Sequence, residues 1–128
     1  MRDNFRSKFE AADDQYVRIK TVTIVKDGTR GDVALNGLSP VRLMYPAGWK
    51  STSPIVHVKV SEDGTTFYPL WTSANTAYTV PAVKSRAYQI SPDAFRGVTY
   101  IRLVGTQAQG TAVTQGTICP ISVVCRLI

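Results

Sequence analysis

The alternation of apolar and polar residues predicts β-strands along almost the whole chain. From Ile55 to Val60 the alternation is strict, so that three valines share one face of a strand and His57 and Lys59 share the other. Other segments are rich in the β-branched and aromatic residues that strands favour. They are residues 16–25, 32–38, 41–45, 66–71, 78–80, 85–90, 98–104 and 118–128.

Glycine and proline mark where these strands end. Asp63-Gly64, between two alternating segments, predicts a β-hairpin. Pro69 predicts that the return strand is an edge strand or a strand end, because proline has no N–H to donate. By the same argument, Ser39-Pro40 predicts a break between two short strands.

Helical signals are confined to one turn, with Ser91 as N-cap, Pro92 at the first helical position and Gly97 as the stop. Residues 105–116 predict a loop or a weak hairpin. Many short strands, with turn signals roughly every 8–12 residues, are typical of an antiparallel sandwich. The sequence therefore predicts an all-β, antiparallel β-sandwich that is jelly-roll-like.

Residues 1–15 differ from the rest and predict an extended N-terminal arm, joined to a β-sandwich domain at residues 16–128. The arm is polar and cannot offset its own ordering entropy, so we expect contact with a neighbour to fix it. Phe5 and Phe9 are four residues apart, so one short helix can present both rings on one face. These two rings, with Arg2 and Arg6, are the candidate partner-binding residues.

Charge narrows the class of partner. The chain has 15 basic and nine acidic residues, a net charge of +6 and a pI near 9.6. The basic residues are dispersed, which favours an acidic protein surface over sequence-specific nucleic-acid recognition. No apolar run reaches the roughly 18–20 residues that span a bilayer, and the first residues lack the apolar stretch of a secretory signal. We therefore expect no membrane partner.

The residues that carry chemistry in enzymes and metal sites are few and scattered. Cys119 and Cys125 would lie roughly 20 Å apart in an extended strand, too far for a disulfide, which predicts two buried, reduced thiols. With only His57 as a further nitrogen ligand, no zinc site is expected. Glu62 and Asp63 are adjacent at a hairpin tip, a poor geometry for an acid/base pair. We expect no enzymatic activity, no metal and no cofactor.

Aromatic residues are dense between positions 45 and 78. Such rings form either sugar-stacking platforms or the large side chains of a core. In the first case Trp49, Tyr68 and Trp71 are the candidates for sugar stacking. In the second case they are structural.

The order of elements from Leu35 to Leu103 is distinctive. It runs through Leu35-Asn36-Gly37-Leu38, Met44-Tyr45-Pro46-Ala47-Gly48-Trp49, Val58-Lys59-Val60-Ser61-Glu62-Asp63-Gly64-Thr65-Thr66-Phe67-Tyr68-Pro69-Leu70, Tyr78-Thr79-Val80-Pro81-Ala82, Phe95-Arg96-Gly97-Val98 and Tyr100-Ile101-Arg102-Leu103. This order resembles small β-sandwich virion proteins of tailed bacteriophages, of the capsid cement or decoration type. The hairpin with the Tyr-Ile-Arg-Leu strand is also similar to discoidin-like galactose-binding sandwiches.

The resemblance to virion proteins implies a structural protein that binds across major capsid protein subunits and stabilises the shell. It implies many copies on the particle, or a homo-oligomer, located in a virion that assembles in the host cytoplasm. The resemblance brings no catalytic or ligand residues with it. Two alternatives stay open: a carbohydrate-binding module for host attachment, and a neck, tail or baseplate component.

Overall fold

The computed structural model describes residues 17–107 and 110–127. Within these ranges the chain forms nine strands and one short 3₁₀ helix, Pro92–Phe95. The strands are β1 Val17–Ile24, β2 Arg30–Ala34, β3 Ser39–Met44, β4 Ile55–Ser61, β5 Tyr68–Pro69, β6 Thr79–Pro81, β7 Ala87–Gln89, β8 Tyr100–Thr106 and β9 Cys119–Arg126. The predicted arm at residues 1–15, with Arg2, Phe5, Arg6 and Phe9, lies outside the described residues.

The strands form two antiparallel sheets that pack face to face. One sheet has the order β1-β9-β3-β7, and the other has the order β2-β8-β4-β5, with β6 also paired to β4. β5 and β6 extend the sheet beside β4 and together act as one interrupted strand. Counted that way, the eight strands have the order of a jelly roll: consecutive strands lie in different sheets, except that β4 and the β5–β6 strand are neighbours in one sheet. The predicted jelly-roll-like sandwich is confirmed.

The core lies between the two sheets and follows the alternation in the sequence. Val56 and Val58 of β4 are buried and face inward, as predicted, together with alternate residues of the central strands β8 and β9. Burying such side chains contributes roughly 1.5–3 kcal/mol each. The core members from β8 and β9 are Ile101, Leu103, Cys119, Ile121, Val123 and Cys125.

The predicted break at Ser39-Pro40 is wrong, because both residues lie inside β3. Pro40 is opposite Cys125, and the β3–β9 register shifts between Pro40 and Arg42. β7 pairs with β3 only from Arg42 onward, so the missing N–H of Pro40 interrupts no β7 ladder. β2 and β3 are instead separated by a tight turn in which the Leu38 N–H donates to the Leu35 carbonyl at 3.0 Å.

Several boundaries also move. Pro69 does end an edge strand, as predicted, but β5 keeps only two residues of the predicted return strand. The 3₁₀ helix begins at Pro92, yet the Ser91 side chain donates no capping hydrogen bond and accepts none. β8 continues through Gly105 and Thr106, which the sequence placed in a loop.

Both thiols are free and buried on the inner face of β9. Burial raises the pKa of the Cys125 thiol, which makes it a poor nucleophile. Across the described part of the chain, no three His, Cys, Asp or Glu side chains gather closely enough to hold a metal ion. In those same ranges, no helix is long and apolar enough to cross a membrane.

Candidate functional site

The outer face of the five-stranded sheet carries several charged and polar side chains close together, which makes it the candidate functional site among the described residues. Strand alternation turns His57 and Lys59 outward from β4, and the register places them beside Val104 and Arg102 of β8. Asp32 of β2 lies on the other side of Arg102. Charged and polar side chains of three neighbouring strands therefore form one row across this face.

Arg102 is held firmly within that row. Its Nε donates to Asp32 Oδ1 at 2.7 Å and its Nη2 donates to Oδ2 at 3.0 Å. The guanidinium carbon also lies 3.9 Å from the centre of the Phe67 ring. The hydrogen bond with Asp32 raises the pKa of Arg102. Arg102 is thus already paired, whereas Lys59 forms no ion pair with any described residue.

A groove of about 330 Å³ opens on this face, next to the row. Its floor comes from the outward side of β4, and Trp71 forms one wall with its side chain 55% exposed. The opposite wall is the segment around residues 110–112. The lining residues that bear on ligand binding are His57, Lys59, Pro69, Trp71, Thr106 and Ala112.

Backbone hydrogen bonds hold the described residues of both walls. Trp71 forms an isolated β-bridge with Ala77, and the Thr72 N–H donates to the Thr76 carbonyl at 2.8 Å between them. On the other side Thr106 forms a bridge with Ala112, and the Gln107 N–H donates to the Thr111 carbonyl at 2.9 Å. The groove is therefore built before any ligand arrives.

His57 faces outward from β4, as the alternation of the sequence predicted, and its ring is bonded to the neighbouring strand β8. It is half-buried, and its Nδ1 lies 2.7 Å from Thr106 Oγ1. The Thr106 hydroxyl donates to the Ile55 carbonyl at 3.4 Å, so both bonds are satisfied when His57 Nδ1 carries the proton. In that tautomer the other ring nitrogen is an acceptor.

The three candidate stacking rings do not share a platform. The prediction for Trp49 is wrong: it is 2% exposed, its Nε1 donates to the Ser53 carbonyl at 2.8 Å, and it packs on Tyr45. Tyr68 and Trp71 are both exposed. Tyr68 is paired with Val60, which faces inward, so the side chain of Tyr68 lies on the inner side of β5. Trp71 is three positions further along and lies on the outer side, so of the three candidate rings it is the one that lines the groove.

A second depression lies beside the β4–β5 hairpin and is explained by the turn itself. Asp63 Oδ1 accepts hydrogen bonds from the Thr65 and Thr66 N–H groups at 2.8 and 2.9 Å. These bonds, with one from the Ser61 hydroxyl, lower the pKa of Asp63. Glu62 is engaged separately, by the Thr99 hydroxyl at 2.8 Å. The geometry is that of an Asx turn.

The surface charge matches the dispersed pattern in the sequence. The described residues include twelve Lys and Arg and five Asp and Glu, all at least partly exposed. Ion pairs among them join Arg102 to Asp32 and, at 3.4 Å, Arg96 to Asp93. A surplus of seven positive charges therefore faces solvent.

No protein-family model matches this chain, and no curated protein matches it. The resemblance to phage virion proteins accordingly stays a prediction from sequence. What sequence reasoning missed is the groove. The outward placement of His57 and Lys59 was predicted, but nothing in the sequence signalled that two loops would flank them.

Proposed function

We propose that this chain is a structural protein of a tailed bacteriophage particle, of the capsid cement or decoration type. In this proposal it binds across neighbouring major capsid protein subunits and stabilises the shell. The observation that supports it best is a rigid jelly-roll body whose surface holds seven more positive than negative charges. Such a surface is drawn to an acidic lattice.

The place where the arm joins the body also supports the proposal. Residues 1–15 lead into β1, which is an edge strand of the four-stranded sheet. A segment attached at a sheet edge can reach a neighbouring subunit without disturbing the core. Phe5 and Phe9 are the proposed anchors, with Arg2 and Arg6 beside them in sequence. Two contacts on one body raise the effective concentration of each other, so weak contacts become firm attachment.

Removal of the arm tests this role. Deleting residues 1–14 leaves β1 and both sheets intact, so we expect a folded protein that no longer co-sediments with purified shells. The single changes Phe5→Ala and Phe9→Ala should each weaken binding by about 1–3 kcal/mol. Tyr68→Ala, which removes an exposed ring far along the chain from the arm, is the matched control and should bind normally. Undiminished binding by the truncated protein would reject the role of the arm.

Ionic strength tests the contribution of charge. If the positive surplus draws the protein to the shell, attachment should weaken steadily between low and high salt, because salt screens exposed charges. Attachment that is insensitive to salt would leave the apolar arm contacts as the sole source of affinity. Copy number separates the proposal from a neck or tail-tip component, since such a ring holds few copies of its subunit whereas a shell-wide array holds many.

A further inference from the structure

The proposed capsid contact does not require the groove on the outer face of the five-stranded sheet. We propose that it binds a sugar residue bearing a carboxylate, with the Trp71 ring stacked on the sugar and the Lys59 ammonium paired with the acid group. The site needs only the described body of the protein. It therefore stands or falls independently of attachment to a shell.

Trp71 supplies the first argument. Trp71 is 55% exposed, its backbone is held by the bridge to Ala77, and the residue lines the groove. An exposed indole is suited to the C–H groups of a sugar ring, because aromatic faces are electron-rich. Trp49 offers no such surface, since it is buried and hydrogen-bonded.

Lys59 supplies the second argument. Its neighbour Arg102 is neutralised by Asp32, so Lys59 is the cation beside the groove that lacks a carboxylate partner among the described residues. No described residue lining the groove is acidic. The described lining of the groove holds neither an arginine nor a helix N-terminus, the donors that bind phosphate most firmly, so its single ammonium is matched better by the single charge of a carboxylate. The charge of the groove thus favours an acidic sugar over a nucleotide.

Hydrogen bonding and size agree with that ligand. With its Nδ1 proton bonded to Thr106, His57 has its other ring nitrogen available as an acceptor for a sugar hydroxyl. The volume of about 330 Å³ is at the lower end of the range of roughly 300–1,000 Å³ seen for small-molecule sites. A single sugar residue of a longer glycan fits that scale.

The two indole groups allow a direct test by NMR with the full-length, ¹⁵N-labelled protein. The probes are the methyl glycosides of galacturonic acid, glucuronic acid and N-acetylneuraminic acid, each compared with its neutral methyl ester. We expect at least one acid to shift the Trp71 indole N–H resonance while the Trp49 indole resonance stays in place. The corresponding ester should bind about tenfold more weakly, since it lacks the charge.

Three variants locate the site. Trp71→Ala should weaken binding of the acid about tenfold or more, and because this variant lacks the reporting indole its binding is followed by the backbone amide resonance of Lys59. Lys59→Gln should bring the affinity for the acid down to that for the ester. Tyr68→Ala, whose ring lies on the other side of the sheet, should bind like the unaltered protein, and an unchanged Trp49 resonance verifies that each variant is folded. The proposal is overturned if no acid in the panel shifts Trp71, if Trp71→Ala retains full affinity, or if acid and ester bind equally.

Discussion

The outer faces of the two sheets differ in what they offer a partner. On the five-stranded sheet the outward positions carry His57, Lys59 and the Arg102–Asp32 pair. A groove beside them is lined on one side by Trp71 and on the other by residues 110–112. On the four-stranded sheet most outward positions of β1 and β9 are small or aliphatic, such as Ile19, Thr21 and Ser122, and the outward arginines are Arg126 of β9 and Arg42 of β3. One outer face is thus mostly small or aliphatic with separate arginines, whereas the other has a row of charged side chains beside a groove. The difference comes from outward residues and loops, because both inner faces are apolar.

The largest expected effect contrasts the inner and outer faces of one sheet. Ile121 is fully buried on β9, while Ile19 on the neighbouring β1 is 65% exposed. Ile121→Ala should lower the free energy of unfolding by about 2–5 kcal/mol, through lost burial and a cavity. Ile19→Ala should change it by less than about 0.5 kcal/mol. Urea unfolding measures both, and similar losses in the two variants would contradict the assigned inner and outer faces.

Close packing around Gly105, on the core side of the five-stranded sheet, gives the next largest effect. A Cβ on Gly105 would lie 2.7 Å from Ser53 Oγ and 3.2 Å from the Trp49 ring, so Gly105→Ala should destabilise the protein by about 1–3 kcal/mol. Gly116→Ala is the matched control, because no atom lies within 4 Å of its added methyl. Thermal unfolding compares the two. An unchanged stability of Gly105→Ala would contradict the close packing of Ser53 and Trp49 around Gly105.

Within the charged row, Arg102 should matter more than an exposed arginine. Arg102→Gln removes the two-bond pair with Asp32 and the contact with the Phe67 ring, for a loss of about 1 kcal/mol. Arg96→Gln breaks only an exposed 3.4 Å pair with Asp93 and should cost almost nothing. Chemical denaturation at low salt measures the difference. Equal losses in the two variants would show that the Arg102–Asp32 pair and the Phe67 contact add nothing to the free energy of unfolding.

The smallest effect is the pH dependence from the hairpin turn. The pKa of Asp63 is lowered in the folded protein, so its carboxylate stabilises the fold above the unfolded pKa, and this contribution disappears as pH falls through the folded pKa. Asp63→Asn should therefore be less stable than the unaltered protein near neutral pH and equal to it in strong acid. Unfolding curves across the acid range check this. A gap that widens toward acid would have the wrong sign.

Sequence reasoning predicted the fold well because its signals are local. The alternation from Ile55 to Val60 and the Asp63-Gly64 turn depend on neighbouring residues alone, and both appear in the structure as predicted. Pro40 was misplaced, because its tolerance inside β3 depends on where β7 begins to pair. That information lies almost fifty residues away in the sequence.

The candidate site was predicted less well, for the same physical reason. Trp49 and Trp71 have similar local sequence contexts, yet one is buried beside Tyr45 and the other is exposed. Only the pairing of distant strands decides which ring reaches solvent. His57 and Lys59 were correctly assigned to an outward face, but the groove also requires two loops that bracket them in space.

The central claim is that this chain is a shell-wide structural component of a phage particle, and its copy number tests that most directly. Quantitative mass spectrometry of purified particles should find this chain at a level comparable with the major capsid protein. A level that matches only a single ring of subunits, or complete absence from the particles, would contradict the claim.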